Sequence, residues 1–392
     1  MSENWTRRRV LGLSGGVVLA GVLPPLSAKT SPGAGATKTA DSHRETSPTS
    51  NDATGAALYR NAFVLDCNTL ASIGMLEDDD CVATEFQAIR DSGLAALKST
   101  LGGGNGTFEE TVADIAAAQA LIDKHPDLFV KVACHTDLQR AKPVEKVAVI
   151  FSFEAASMLE GKLDRIAMFR QLDVLVMQLT YNHKTPFGCG CLDGDTDGVT
   201  DLGREAIAKM NAIGVALDLS HANTQTTRDG IAISTRPAVI THAGCREVFK
   251  HPRNKTDRDM KALADKGGVM GIYMLPFLTP DTRQPMLADY MRHLVHALGV
   301  CGEDHVGIGT DTEFFTVTDK DLKAIAKDEA DRKKAGINAP GENRPPYIPD
   351  INTPRKLEFV ADALLRNGYS ARVTEKVLGL NFSRVFKEIW VS

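Results

Sequence analysis

Short apolar runs, rich in β-branched and aliphatic residues, recur along the chain from residue 63 onward. There are eight, at 63–66, 128–134, 147–153, 174–180, 215–219, 238–241, 269–275 and 305–309. Between them, apolar residues recur three or four positions apart, as in amphipathic helices, most clearly at 201–213, 224–234, 257–266 and 286–298. Hydrophobic strands that alternate with helices predict an α/β fold, a (β/α)8 TIM barrel. A doubly wound open sheet is the alternative, but no glycine-rich phosphate fingerprint follows an early strand.

Four of these runs deliver a polar side chain of a kind that binds metals or carries protons. The four are Glu154, His221, His242 and Asp311. Because the carboxyl ends of barrel strands meet at one rim, we expect these side chains to converge there. Two imidazoles and one carboxylate are the ligand set of a catalytic zinc with one open position. We therefore predict Glu154, His221 and His242 as metal ligands, with Glu154 and Asp311 as the catalytic carboxylates.

A loop of sequence His-Pro-Arg-Asn follows the sixth run and supplies candidate substrate contacts. Arg253 has a planar guanidinium that binds a carboxylate through two parallel hydrogen bonds, and Asn254 is assigned to substrate binding beside it. A solvated loop arginine is the alternative for Arg253. A Pro- and Asn-rich loop at 338–354 follows the last strand, and we expect it to lie over the barrel mouth as part of a lid, ahead of two or three C-terminal helices.

The N-terminus has the pattern of an export signal. Thr6 and three arginines at 7–9 precede a modestly hydrophobic, glycine-containing stretch that ends near Ala28. This pattern resembles a Tat-type signal peptide over 1–28 and predicts a periplasmic location with no stable membrane span after processing. An uncleaved anchor is the alternative, but the stretch is short for a span. Residues 29–54 are predicted to be a flexible linker, and 55–392 the barrel domain with its C-terminal helices.

Composition narrows the classes of function. The chain has 392 residues, 43% hydrophobic and 24% charged, with a net charge of −5 and a pI near 6.1. It lacks the excess of positive charge that is typical of nucleic-acid-binding proteins, so nucleic acid is not expected as a partner. Seven cysteines, an odd number, imply at least one unpaired thiol. Cys189 and Cys191 are assigned to a loop, with a local disulfide or a metal contact as the alternative.

Seven motifs follow one another in order and resemble a known family. They include Leu-Asp-Leu-Ser-His, Thr-His-Ala, His-Pro-Arg-Asn and Gly-Ile-Gly-Thr-Asp, and they lie at 178–191, 198–205, 217–221, 241–243, 251–254, 307–311 and 379–386. Together they resemble the membrane dipeptidase (renal dipeptidase) family of zinc peptidases, over about residues 60 to 390. The resemblance implies a (β/α)8 barrel with two zinc ions bridged by a glutamate, and often a homodimer.

Carried onto this sequence, the resemblance implies a role for each matching residue. The bridging glutamate falls on Glu154, and the ligands of the second zinc fall on His221 and His242. Arg253 then meets the substrate carboxylate and Asp311 handles the proton. In mammalian members, a histidine after strand four assists catalysis; that position is Tyr181 here, which is assigned to substrate binding, and His183 is only a neighbour of the site.

The end of strand one departs from the family pattern. Family members have a His-x-Asp pair there that binds the first zinc, whereas this chain reads Asp66-Cys67-Asn68-Thr69-Leu70. Aligning the aspartates puts Asn68 and Leu70 in the ligand positions, and a shift of one residue puts Cys67 and Thr69 there. Asp66 and Cys67 remain candidate metal ligands by chemistry. We therefore expect one Zn²⁺ ion, with two as the alternative.

These observations predict an enzyme: a zinc-dependent dipeptidase that hydrolyses short peptides with a free carboxylate in the periplasm. One alternative is a periplasmic tailoring enzyme that matures an exported peptide natural product such as a siderophore. A second alternative is a homologue that has lost catalysis and retains a pocket for peptides. In each case the expected partner is a short peptide or a peptide-derived small molecule.

Overall fold

The computed structural model describes residues 50–70, 80–142, 145–280, 282–336 and 338–390; of residues 50–54, 80–83, 328 and 335 it describes the backbone alone. The strands in these ranges are β1 (Leu65–Thr69), β2 (Ala96–Thr100), β3 (Phe129–Lys131), β4 (Val147–Phe153), β5 (Val174–Gln178), β6 (Ala216–Asp218), β7 (Val239–Ala243), β8 (Val269–Ile272) and β9 (Val306–Ile308). The predicted signal peptide and nearly all of the predicted linker lie outside the described residues.

Eight of the strands form a nearly closed parallel barrel, which confirms the predicted fold. Their order is β1-β2-β4-β5-β6-β7-β8-β9. The first and last strands meet near their carboxyl ends, where the Asp311 N–H donates to the Asn68 carbonyl over 2.7 Å and the Leu70 N–H donates to the Thr312 carbonyl over 3.1 Å. Because all strands are parallel, their carboxyl ends share one rim.

The second barrel strand was predicted in the wrong place. We expected 128–134, but that segment contributes only the short β3, which pairs with β4 outside the barrel path. The true second strand, β2, escaped the hydrophobic pattern because its sequence, Ala-Leu-Lys-Ser-Thr, is half polar. Lys98 in this strand is fully buried, and its ammonium donates to the Ser152 hydroxyl on β4 over 3.0 Å. The polar side chain of Lys98 therefore points into the barrel interior rather than into solvent.

Helices alternate with the strands. They are α1 (Ser50–Asn61), α2 (Asp80–Ser92), α3 (Phe108–Lys124), α4 (His135–Ala141), α5 (Asp164–Gln171), α6 (Asp201–Ile213), α7 (Thr224–Ile233), α8 (Asp257–Asp265), α9 (Leu287–Cys301), α10 (Asp319–Ala335), α11 (Lys356–Arg366), α12 (Ala371–Glu375) and α13 (Asn381–Ile389). The four predicted barrel helices correspond to α6, α7, α8 and α9. Helix α1 begins at Ser50, so the last predicted linker residues are helical. Helix α10 was not predicted, because its sequence is charged on all sides.

The amino-terminal end of the barrel is covered by α13. Phe386 and Trp390 stack with ring centroids 4.5 Å apart, and the Trp390 indole N–H donates to the Leu175 carbonyl over 3.2 Å. Gly307 in β9 lies directly against the Phe382 ring, where a Cβ atom would come within 2.5 Å of a ring carbon. This aromatic cluster fills the end of the barrel opposite the rim that carries the polar side chains. Among the described residues, no helix is both long enough and apolar enough to cross a bilayer.

Candidate metal centre

Three side chains converge at the carboxyl rim of the barrel. Glu154 follows β4 directly, His221 lies three residues beyond β6, and His242 is the fourth residue of β7. Their ligand atoms lie within 4.8 Å of one another. The structure thus brings together the three residues that the strand-end pattern predicted as metal ligands, and it does so because parallel strands end at one rim.

Hydrogen bonds fix the tautomers of both histidines. The Nδ1 of His221 donates to the Asn182 side-chain oxygen over 2.9 Å, and the Nδ1 of His242 donates to the Thr241 hydroxyl over 2.9 Å. The Thr241 hydroxyl itself donates to Asp218 over 2.6 Å, so it acts as the acceptor toward His242. Each histidine therefore carries its proton on Nδ1 and presents an unprotonated Nε2 to the site.

The two Nε2 atoms face each other at 3.1 Å. Since both are acceptors, they cannot hydrogen-bond to each other, and a shared cation is the natural partner for the two lone pairs. Two nitrogens at ~2.05 Å from a tetrahedral zinc lie about 3.3 Å apart, close to the observed separation. The residues present therefore fit a divalent metal ion bound by His221, His242 and Glu154.

Burial keeps both imidazoles neutral. It lowers the pKa of His221 and of His242 well below the usual histidine range, and the Arg253 charge lowers both further. A neutral imidazole is the form that binds metal, so the site needs to lose no proton from these rings at neutral pH.

Asn68 links the two carboxylates of the site. Its side-chain N–H groups donate to Glu154 Oε1 over 2.8 Å and to Asp311 Oδ1 over 2.7 Å. The Thr100 hydroxyl also donates to Glu154 Oε1, over 3.0 Å. Asn68 therefore places a neutral amide between the two carboxylates. Thr100 lies on the strand that the sequence pattern missed.

Asp311 reaches the site from an unusual backbone conformation. Its φ of 54° lies in the left-handed region, which costs a non-glycine residue of order 1 kcal/mol and is most tolerable for Asp and Asn. This conformation brings its Oδ2 to 4.0 Å from the Nε2 of His242. Burial, followed by the charge of Glu154, raises the pKa of Asp311 to about 7. The structure thus places a carboxyl group beside the predicted metal position that can both accept and release a proton near neutral pH.

Asp66 and Cys67, the two candidate extra ligands, do not join the site. Asp66 accepts hydrogen bonds from the Thr310 N–H over 2.8 Å and the Thr310 hydroxyl over 2.6 Å, so its carboxylate holds β1 to the segment after β9. The Cys67 thiol is fully buried, which raises its pKa well above the usual value. Within the described part of the chain, neither belongs to a group of side chains spaced to hold a metal. Their assignment as ligands is therefore corrected.

Arg253 lies in the site rather than in solvent. It is 1% exposed, its Nη1 donates to the Ser220 carbonyl, and its Nη2 lies 3.1 Å from His221 Nε2. The alternative of a solvated loop arginine is therefore wrong.

Asn254 was expected to contact substrate, but its side chain bonds within its own loop and to the segment that follows β8. Its amide nitrogen donates to the Phe249 carbonyl over 2.8 Å and to the Phe277 carbonyl over 3.1 Å, and its oxygen accepts from the Tyr273 hydroxyl. All of its hydrogen-bonding groups are thus engaged, and Asn254 supports the loop that carries Arg253.

Tyr181 lies flat against a proposed ligand. Its ring stacks on the His221 imidazole with centroids 4.2 Å apart and an interplanar angle of 24°. Gly104 allows this placement, because a Cβ there would come within 2.8 Å of the tyrosine ring. The loop that carries Tyr181 also contains Cys189 and Cys191, whose thiols are free, as the loop assignment predicted.

The loop predicted at 338–354 does reach the mouth of the barrel. The Pro340 carbonyl lies 2.7 Å from the Nε2 of His251, two residues before Arg253. Ahead of this loop, α10 supplies Arg332, whose Nη2 lies 3.3 Å from the Tyr181 hydroxyl. Sequence analysis missed Arg332, because it lies in a charged helix and not at the end of an apolar run. It also missed Asn182, which follows the run at 174–180 by two residues but carries an amide, which is not a typical metal ligand or proton carrier.

Comparison with known proteins agrees with this geometry. A sequence model described as membrane dipeptidase (peptidase family M19) matches residues 79–328. An uncharacterized dipeptidase of Schizosaccharomyces pombe is 26% identical over 226 residues, which cover 56% of this chain and 54% of that protein. This chain thus spans about half the length of that relative.

Two solved structures share the fold. An amidohydrolase from Pseudomonas aeruginosa has 28% identity and a TM-score of 0.71, covering 86% of this chain and 99% of the other. A metallopeptidase from Rhodobacter sphaeroides, bound to a phosphinate mimic of the dipeptide L-Ala-D-Ala, has 19% identity and a TM-score of 0.68, covering 84% and 99%. With a family match over most of its length and a metal-binding geometry at its barrel rim, the chain belongs to the membrane dipeptidase family of metallopeptidases.

Proposed function

We propose that this protein is a zinc-dependent hydrolase that cleaves short peptides with a free carboxylate after export to the periplasm. The observation that carries the proposal is the pair of unprotonated Nε2 atoms, 3.1 Å apart, with the carboxylate of Glu154 in the same group. Two imidazoles and one carboxylate with an open position are typical of catalytic zinc sites. A bound zinc ion supplies a Lewis acid and a water of lowered pKa.

The chain's own side chains provide the remaining parts of peptide hydrolysis. Asp311 is positioned to accept the proton of the attacking water and to pass it to the leaving amine, since its Oδ2 lies 4.0 Å from the metal-facing Nε2 of His242. Asn68 holds Asp311 and Glu154 in fixed relation to each other through its two N–H groups. Asn68 is in this sense a positioning residue.

Arg253 is our candidate for the group that orients the substrate. Its Nη2 donates to His221 Nε2, the lone pair that a metal would take. Loading of the site would free this N–H for a substrate carboxylate, while the bond from Nη1 to the Ser220 carbonyl keeps the guanidinium in place. A short peptide is also the ligand class of the related Rhodobacter sphaeroides metallopeptidase, whose bound phosphinate mimics a dipeptide.

Export is supported by the sequence alone. The arginines at 7–9 and the modestly hydrophobic stretch after them resemble a Tat signal, which serves proteins that fold before transport. Cell fractionation of the full chain, compared with a variant in which Arg7, Arg8 and Arg9 are all replaced by lysine, tests this part of the proposal. Equal periplasmic recovery of both forms would contradict it.

The catalytic proposal is tested by zinc content and by hydrolysis of a dipeptide panel in zinc-supplemented buffer. We expect bound zinc and amino-acid release for the native chain, and loss of both for His221→Ala and His242→Ala. His305→Ala is a matched control, because His305 lies ahead of β9 at the opposite end of the barrel and should leave both readouts unchanged. A native protein that binds zinc but releases no amino acid from any dipeptide would overturn the proposal.

A second candidate function is the maturation of an exported peptide natural product, such as a siderophore. The observation that favours it is Asn68, which replaces a metal-binding residue of the family pattern and so points to altered chemistry at a retained site. Product profiles of a deletion strain distinguish the candidates, since only this second function predicts the accumulation of an unprocessed peptide product.

A further inference from the structure

An arginine and a glutamate form a partly buried pair over the barrel mouth. Arg332, in the last turn of α10, donates from Nη2 to both carboxylate oxygens of Glu342, over 3.1 and 3.3 Å, and from Nε over 3.2 Å. The two side chains are only 16% and 18% exposed. A multidentate guanidinium–carboxylate pair with this little solvent contact is stronger than an ordinary surface ion pair.

The pair lies next to the proposed metal centre. The Arg332 Nη2 also reaches the Tyr181 hydroxyl at 3.3 Å, and its Cζ lies 5.9 Å from the centre of the Tyr181 ring. The same ring stacks on the His221 imidazole. Tyr181 therefore contacts both the Arg332 guanidinium and a proposed metal ligand, a separation that two peptide residues, at about 3.5 Å each, cover together with an extended acidic side chain.

Two guanidinium groups thus lie near His221. Arg253 contacts its Nε2 directly, and Arg332 contacts Tyr181, whose ring stacks on it. The terminal carboxylate of a peptide needs only one of them. A second arginine at the mouth fits a ligand that carries a second anionic group, and Glu342 shows that a side-chain carboxylate fits against Arg332.

Glu342 lies on a segment that is fixed at both ends. On one side, Arg344 donates to the carbonyls of Pro276 and Thr279 over 2.6 and 3.0 Å. On the other, the Gly336 carbonyl lies 3.2 Å from His183 Nε2. These contacts anchor the backbone on either side of Glu342, at Gly336 and at Arg344.

We propose that Arg332 binds an acidic side chain of the peptide substrate, and that Glu342 occupies Arg332 until such a substrate displaces it. This inference rests on the proposed peptidase function and names the substrate class of the same site. An acidic substrate exchanges one carboxylate for another and keeps Arg332 paired. A neutral substrate either leaves Glu342 in place or leaves a partly buried guanidinium without a partner, which is costly.

The test compares matched dipeptides that differ by one charge, Ala-Glu with Ala-Gln and Glu-Ala with Gln-Ala, in zinc-loaded full-length protein. We expect kcat/KM to favour the glutamyl peptide severalfold in one of the two positions, which is less than the about tenfold of an uncompeted charge-assisted hydrogen bond, because Glu342 must be displaced. Arg332→Gln should abolish this preference, so that both peptides are cleaved with about equal kcat/KM, while cleavage of the glutaminyl peptide persists. Arg332→Lys should retain a part of the preference, since it keeps the charge but loses the planar geometry.

Glu342→Gln tests the displacement step. Removal of the competing carboxylate should lower KM for the glutamyl peptide severalfold and leave its kcat nearly unchanged. Arg372→Gln is the matched control, because Arg372 is an exposed arginine that pairs with Glu303 at the other end of the barrel. It should leave the glutamyl preference as in the native chain.

The outcomes separate this inference from the proposed function. Equal cleavage of glutamyl and glutaminyl peptides by the native chain overturns the role of Arg332 and leaves the peptidase intact. A preference that survives Arg332→Gln in a folded, zinc-loaded variant also overturns it. Calorimetric titration with phosphinate analogues of the same peptides provides a readout independent of turnover, and the absence of both cleavage and binding for every peptide would contradict the inference and the function together.

Discussion

The Nε2 atoms of His221 and His242 face each other at 3.1 Å because each ring is held by a hydrogen bond on its far side. Asn182 holds the first ring and Thr241 the second. The metal-binding form of both rings is therefore set by residues that would not touch the metal, and these supporting contacts are as testable as the ligands themselves.

Asn182→Ala should weaken zinc binding roughly 10- to 100-fold without removing a ligand. The substitution deletes the acceptor of the His221 Nδ1 proton, so the ring loses both its orientation and its tautomer preference. Chelator competition measures the zinc affinity. Asn367→Ala is the matched control, because Asn367 is exposed and bonds only within its own helix region. Equal zinc affinity in the two variants would contradict the supporting role of Asn182.

Asn68 offers a gain-of-function test at the same centre. The double variant Asn68→His with Leu70→Asp introduces one nitrogen and one carboxylate ligand beside Glu154, which Asn68 already contacts at 2.8 Å. We expect the zinc-to-protein ratio to rise by about one relative to the native chain. The single variant Asn68→His supplies one ligand fewer and should gain less zinc. A folded double variant with the native ratio would show that the strand-one position does not limit the number of metal ions.

The part of this site that could be predicted from sequence is the part that sits at strand ends. Glu154, His221, His242 and Asp311 each follow an apolar run, and the parallel barrel converts that one-dimensional pattern into one rim. Arg332 stands in a charged helix, so no periodic pattern relates it to the rim. Asn182 does follow an apolar run, but its amide is neither a metal ligand nor a proton carrier of the predicted kind, and its role depends on the contact with His221. Their positions depend on how the loops fold over the mouth.

The fold was predictable for the same reason, with one instructive exception. Strand β2 contains Lys98 and Thr100, and both face the barrel interior, where Lys98 contacts Ser152 and Thr100 contacts Glu154. A strand that supplies polar groups to a polar part of the barrel does not show the continuous hydrophobicity of its neighbours. The hydrophobic pattern therefore selected residues 128–134 instead, which are apolar but lie beside the barrel.

Asp66 should make the stability of the native chain depend on pH. Burial raises its pKa from 3.8 to about 6. A carboxyl group whose pKa is higher in the folded than in the unfolded state binds its proton more tightly when folded, so the free energy of unfolding falls as the pH rises from about 4 to about 6 and then levels off.

Asp66→Asn removes this titration, while the amide can still accept from the Thr310 N–H. Between about pH 4.5 and pH 7.5, the unfolding free energy of the variant should gain about 2 kcal/mol relative to the native chain. Urea unfolding of the metal-free proteins at both pH values measures the difference. If the unfolding free energy of the variant instead fell relative to the native chain as the pH rises, the folded protein would stabilise the charged form of Asp66.

Alanine substitutions at Gly307 and Gly299 test the packing at the amino-terminal end of the barrel, with Gly299 as the control. A Cβ at Gly307 would come within 2.5 Å of the Phe382 ring, whereas a Cβ at Gly299, within α9, meets no heavy atom within 4 Å. Gly307→Ala should therefore destabilise the protein by about 1–3 kcal/mol through overpacking. Gly299→Ala should stabilise it by up to about 1 kcal/mol, because alanine favours the helix.

Thermal unfolding monitored by circular dichroism should show a lower Tm for Gly307→Ala and a higher Tm for Gly299→Ala. The combination of Gly307→Ala with Phe382→Leu isolates the contact, since a smaller side chain at 382 makes room for the new methyl group. Because Gly307 and Phe382 touch, their effects should not add, and the double variant should be less destabilised than the sum of the two single variants. Additive effects would place the strain at Gly307 elsewhere than against the Phe382 ring, and would remove the reason for a glycine at this point of β9.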